Sequence, residues 1–130
     1  MVEILRQPEI MKKAQAELAQ VVGKGKPIEE VDVSRLPYLK FIVKETLRMH
    51  PPSPFLVPRR VDQDVELCDY IIPKGSRVLV NAWDFELIPF GAGRRICPGL
   101  PLALRIVPVM LGSMLNSFNW KLESGIEPKD

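Results

Sequence analysis

The sequence is poor in the residues that staple or metallate small proteins. It has 2 cysteines and 1 histidine in 130 residues. Cys68 and Cys97 stand far apart with no C-x-x-C pair, so neither a disulfide framework nor a zinc knuckle is indicated. A reduced, cytosol-facing setting suits this usage. Charge of one sign is also scarce. The net charge is +2, and basic residues are mixed with acidic ones except at Arg59, Arg60, Arg94 and Arg95. A nucleic-acid partner needs a basic stripe over much of one face, which this pattern does not supply. Small anionic groups are better partners for the four arginines. Long apolar runs are missing as well: none approaches the length of a bilayer span, and "MVEILRQPEI" has no signal-peptide core.

Hydrophobic residues make up 46% of the chain and charged residues 26%, ordinary values for a packed globular protein of one domain. Pro8 followed by Met11, Ala14, Leu18 and Val21 at spacings of three and four predicts an amphipathic helix over residues 8 to 22, stopped by Gly23 and Gly25. "IEEVDVSRLP" reads as a connector. A second helix is predicted over 37 to 49, with Leu39, Ile42, Val43, Thr46 and Leu47 as its apolar face, until Pro51 and Pro52 end it. Phe41, Glu45 and Arg48 share the neighbouring stripe, which sets a carboxylate and a guanidinium one turn apart. "PPSPFLVPRR" reads as an extended segment entering a strand. "VELCDYIIPKGSRVLVNAW" reads as a β-hairpin with Pro73, Lys74 and Gly75 at its turn and Val78, Val80 and Ala82 alternating. A long helix over 99 to 116 follows, kinked at Pro108, with Leu102, Ile106, Met110, Met114 and Phe118 on one face. The fold class is therefore mainly α with a small β-hairpin element.

Between the hairpin and the last helix lies "PFGAGRRICPG", residues 89 to 99. Glycine and proline fix or release the backbone at particular angles, so a stretch this dense in both specifies a shape. Cys97 lies just before a helix N-terminus and beside two arginines, both of which favour a thiolate. Such a thiolate serves as nucleophile, redox sensor or metal ligand. A nucleophile calls for a nearby base, and the one histidine, His50, is distant in sequence. A buried cysteine that only fills space is the plain alternative. A thiolate ligand against a glycine-lined surface is the arrangement of a haem-thiolate site. A zinc site from His50, Cys68 and Cys97 has no local ligand pair to support it.

These residues carry a resemblance. Phe90, Gly93, Arg95, Cys97 and Gly99 match the haem-binding signature of the cytochrome P450 superfamily, F-x-x-G-x-R-x-C-x-G. Glu45 and Arg48 match its E-x-x-R helix, followed by "HPPSP". "VPRR", "IPKGSRVLVNAW" and "IPFGAGRRICPGLPLA" are similar to plant P450s of secondary metabolism that oxidise terpenoids or phenolics, geraniol hydroxylases among them. The resemblance implies that residues 1 to 130 form a partial P450 domain, the later part of that fold. It implies haem b (iron protoporphyrin IX) as cofactor, with Cys97 as the axial ligand of the iron. Gly93 and Gly99 would admit the porphyrin, Phe90 would pack beside the thiolate, and Arg95 and Arg59 would pair with propionates, with Arg60 beside them. Glu45 and Arg48 would form a structural pair, and Phe55, Leu56 and Val57 would face substrate.

The implied activity is monooxygenation of a small apolar substrate by O₂, with electrons from NADPH-cytochrome P450 reductase, at the cytosolic face of the endoplasmic reticulum. The sequence departs from the family pattern in places. Trp83 is followed at once by "DFELIPFGAG", where the family has a further helix and a meander whose arginine completes the Glu45–Arg48 pair, so an internal deletion is read at Trp83 and Asp84. The oxygen-activating helix, the membrane anchor and the last sheet have no match either. A truncated, catalytically silent P450 fragment or interaction module is therefore the alternative expectation.

Overall fold

The computed structural model describes residues 1–82 and 89–121. It divides into one unit of Met1–Thr46 with Pro98–Asp130 and a second of Leu47–Cys97.

The first unit is helical. Its elements are α1 (Val2–Arg6), α2 (Pro8–Val21), α3 (Glu30–Val33), α4 (Pro37–Met49, whose last turn belongs to the second unit) and α5 (Leu100–Ser117). The three long helices follow the sequence reading to within one residue at each end. Pro8 starts α2, where a missing N–H costs nothing. At the other end, Val22 and Gly23 both donate to the Leu18 carbonyl, and Gly23 takes a φ of +102°. Ile4, Ala14, Leu18, Ile28, Leu36, Leu39, Ile42 and Leu115 form the core. The inward stripes of α2 and α4 are those that the three-and-four spacing requires. The N-terminus of α4 is capped from another helix: Glu17 of α2 accepts the Tyr38 and Leu39 N–H groups at 2.8 and 2.9 Å. A carboxylate there satisfies two orphan donors and opposes the positive end of the helix dipole.

The connector "IEEVDVSRLP" holds a helical turn, α3, where the sequence predicts none. Glu29 and Asp32 cap it reciprocally. Asp32 accepts the Glu29 N–H at 3.0 Å and pairs with Arg35. The backbone N–H of Glu29, and then the Arg35 guanidinium, hold the Asp32 carboxyl below its usual range. An acidic residue stands where capping boxes ordinarily have serine or threonine, which hides the signal.

For α5 the structure shows that the buried face is a different one from the apolar stripe named in the sequence. The helix is continuous across Pro108 and buries Pro108, Gly112 and Leu115. Leu102, Ile106 and Met110 are 60%, 44% and 59% exposed, and Phe118 is exposed too. Close approach decides the choice: a side chain at Gly112 would begin 2.8 Å from Ile28 Cδ1 and 2.9 Å from Leu39 Cδ2. Only the stripe with no side chain at its centre can lie this near the core. A correction concerns apolar length. By length and composition alone, α5 is long and apolar enough to cross a membrane, because its one charged residue, Arg105, does not interrupt the run enough to disqualify it.

The second unit carries two short antiparallel ladders. β1 (Arg59–Arg60) pairs with β4 (Arg77–Val78), and β2 (Val65–Leu67) pairs with β3 (Tyr70–Ile72). The hairpin turn is therefore Cys68–Asp69, not Pro73–Gly75 as the sequence suggests. Pro73–Ser76 does form a turn, closed by the Ser76 N–H on the Pro73 carbonyl at 3.2 Å, but β3 and β4 do not pair with one another. Cys68 takes a φ of 53° at a position where hairpins prefer Asn, Asp or Gly. Its side chain gave no turn signal. Of the alternation expected at Val78, Val80 and Ala82, only Val78 lies in a strand.

Candidate haem-thiolate loop

The cysteine loop is built from backbone bonds. The Cys97 N–H donates to the Phe90 carbonyl at 2.9 Å, closing the stretch between them into a ring. Inside it, Gly93–Arg95 form a 3-10 turn, with the Ile96 N–H on the Gly93 carbonyl at 3.1 Å. Gly91 and Gly93 both need positive φ, +72° and +68°, which glycine alone adopts freely. Among the described residues nothing lies within 4 Å of where a Gly93 side chain would begin.

Cys97 is half-buried and its thiol is free, while Cys68 is free and exposed. Phe90 is half-buried, and Arg94 and Arg95 are exposed. Arg59 and Arg60 are exposed on β1. Among the described residues no carboxylate lies within ion-pairing distance of these four arginines. Gly99 caps α5, its carbonyl accepting the Ala103 N–H at 2.9 Å. Glu45 and Arg48 sit one turn apart on α4, the first half-buried and the second exposed.

The loop after α4 meets the cysteine loop. Phe55 and Val57 are 53% and 79% exposed, whereas Leu56 between them is half-buried. Leu56 Cδ1 lies 3.7 Å from the point where a Gly91 side chain would begin. Two segments far apart in sequence thus come near one another at Leu56 and Gly91. The sequence reading assigns Gly91 no role, and the doubled glycine around Ala92 was the signal for it.

Among the described residues no group of three His, Cys, Asp or Glu side chains is placed to hold a metal ion. A cavity of about 380 Å³ lies in the helical unit, lined by residues including Lys12, Gln15, Leu115 and Asn116. It contains none of the anticipated site residues.

Comparison with known proteins supplies the context. The sequence profile of the family described as Cytochrome P450 matches residues 1–87 and 84–130. The chain is 59% identical over 160 positions to geraniol 8-hydroxylase of Catharanthus roseus, covering all of this chain and 32% of that protein. It is 50% identical over 160 positions to geranylhydroquinone 3''-hydroxylase of Arnebia euchroma, again covering all of this chain and 32% of the relative. A solved zebra fish cytochrome P450, studied with progesterone, superposes with a TM-score of 0.89 at 31% identity, over 99% of this chain and 36% of that one. The chain spans about a third of the length of the curated relatives it matches.

These alignments run over 160 positions, 30 more than the 130 residues here. The family profile is correspondingly matched in two pieces that meet at residues 84–87. That is beside the junction read at Trp83 and Asp84, which lies outside the described residues. The 59% identity and the family match over both pieces lead to one statement: the chain belongs to the cytochrome P450 family, and is a plant P450 of the geraniol-hydroxylase-like kind.

Proposed function

We propose that the chain is the later part of one P450 domain, spanning residues 1 to 130, and that its cysteine loop binds haem b through Cys97. The family implies a haem cofactor. The observation that carries the reading is the closed loop itself, with a free, half-buried sulfur at Cys97 and no described residue within 4 Å of where a Gly93 side chain would begin. A sulfur donor, glycines along the loop and cations with no carboxylate partner among the described residues suit an iron porphyrin bearing two carboxylates. Arg95 and Arg59 would hold the propionates, with Arg60 next to the latter. Phe90 would pack beside the sulfur, and Gly93 and Gly99 would leave room for the ring. Bound iron protoporphyrin supplies the activation of O₂ for insertion of one oxygen atom into substrate.

The chain's own residues have simpler tasks. Cys97 donates its sulfur as thiolate, and the N–H bond to Phe90 fixes where that sulfur starts. Glu45 and Arg48 support the structure of α4. Phe55, Leu56 and Val57 give an apolar surface for a small apolar substrate. The relatives' names, a geraniol 8-hydroxylase and a geranylhydroquinone 3''-hydroxylase, favour a terpenoid or a prenylated phenolic. Electrons would come from NADPH-cytochrome P450 reductase, at the cytosolic face of the endoplasmic reticulum, as the family leads us to expect.

The test is spectroscopic. The purified chain is loaded with haem, reduced and exposed to carbon monoxide, and the absorption band of thiolate-ligated iron is expected. Cys97→Ala is expected to abolish it while Cys68→Ala leaves it. A band that survives Cys97→Ala, or fails to form in the parent chain, overturns the assignment.

A further inference from the structure

Leu56 is unusual in two independent ways. Among the described residues only Leu56 and Cys68 have positive φ without being glycine, and Leu56 takes 52°. A bulky side chain at such an angle crowds its own backbone. Residues held this way persist where their surroundings over-determine them, and they gather at functional sites. Here the surroundings are identifiable. The Leu56 N–H donates to the Ser53 carbonyl at 3.0 Å, closing a turn, and the Pro54 carbonyl accepts the Ala82 N–H at 2.7 Å. The backbone leading into the strained angle is pinned twice.

The second observation is where that angle sends the side chain. Leu56 Cδ1 stands 3.7 Å from the point where a Gly91 side chain would begin, and the Arg95 carbonyl oxygen stands 3.9 Å from the same point. Gly91 is thus flanked by Leu56 from outside the ring and by Arg95 from within it. The ring is the one closed by the Cys97 N–H and the Phe90 carbonyl. Gly91 is also one of the two glycines in that ring, with Gly93, and so is free to change conformation once a neighbour withdraws.

We propose that Leu56 is a positioning residue for Cys97: its backbone angle sets an isobutyl group at the edge of the space beside Gly91 and so limits the conformations open to the ring that presents the sulfur. The functional meaning of this brace rests on the reading of Cys97 as the haem ligand, while the brace itself does not require haem. Substitutions at Leu56 then act on the cysteine loop as well as on any substrate contact, and they do so without substrate present.

The experiment uses the whole chain without haem. Cys97 is alkylated with iodoacetamide and followed by mass spectrometry, and the exposed Cys68 serves as reference thiol in the same molecule. Leu56→Ala is expected to raise the Cys97-to-Cys68 rate ratio by about threefold or more, as local opening of the ring would. Leu56→Met, which keeps a side chain of similar reach, holds the ratio near the parent value, and Ile71→Ala on the exposed hairpin leaves it unchanged. In the haem-loaded chain, Leu56→Ala is expected to shift part of the carbon monoxide band away from the thiolate position.

An unchanged ratio in a Leu56→Ala chain with intact far-UV circular dichroism overturns the proposal. If that variant loses its circular dichroism, Leu56→Val is compared with the parent instead, and an unchanged ratio there overturns it equally. The two readings fail separately. Absence of thiolate ligation with a raised ratio removes the haem assignment alone, and intact ligation with an unchanged ratio removes the brace alone.

Discussion

The two units of this chain are held together by different physics. In the helical unit, side chains do the work: every buried residue among those described belongs to it, from Ile4 to Leu115. In Leu47–Cys97 no described residue is buried. Its shape comes from backbone bonds, proline and glycine angles, and single approaches such as that of Leu56 to Gly91. The unit that carries the cysteine is thus the one without a core of its own. Substitutions should therefore divide cleanly, with stability lost in the first unit and chemistry lost in the second.

The largest test of that division is Leu39→Ala. Leu39 is fully buried, and its truncation should cost about 2–5 kcal/mol in urea unfolding followed by helical circular dichroism. Gly112→Val comes next. Its added methyls would collide with Ile28 and Leu39, and a loss of about 1–3 kcal/mol is expected in the same measurement. Either variant unfolding at the parental urea concentration would break the comparison on the helical side.

Arg95→Ala probes the other side. It should weaken haem affinity roughly tenfold in a spectrophotometric titration, as loss of an outer partner does, while moving stability by less than about 0.5 kcal/mol. An equal loss of stability would show that the loop and the helices are not separable. Glu17→Ala removes the acceptor for two N–H groups of α4 and should cost about 1 kcal/mol, with no change in the haem titration.

The smallest effect concerns pH. The Asp32 carboxyl titrates below its usual range when folded, so its contribution is present above that range and fades as pH falls through the lowered value. Parent and Asp32→Asn should therefore differ most in melting temperature near neutral pH and converge well below about pH 4. A gap that widens on acidification would contradict the sign.

What was legible in the sequence follows the same division. The three long helices could be read almost to the residue, because Pro8, Pro37 and the three-and-four spacing are local signals, whereas the short α1 and α3 could not. The core face of α5 could not, since it depends on how near Gly112 comes to Ile28 and Leu39. The ladders were misjudged for a related reason. Pro73–Gly75 carries the stronger turn chemistry, yet pairing is decided by register between distant segments, Arg59 with Val78 and Val65 with Ile72. In the cysteine loop the family was legible through its signature. The brace at Leu56 was not, because a leucine at positive φ has no signature in sequence.

The bond from the Cys97 N–H to the Phe90 carbonyl gives the fixed interval between those residues a mechanical meaning. Because the two ends of the stretch meet, its length is a circumference. One residue added or removed anywhere between them would have to be absorbed around the whole circle, so the interval can resist change even where the side chains within it do not.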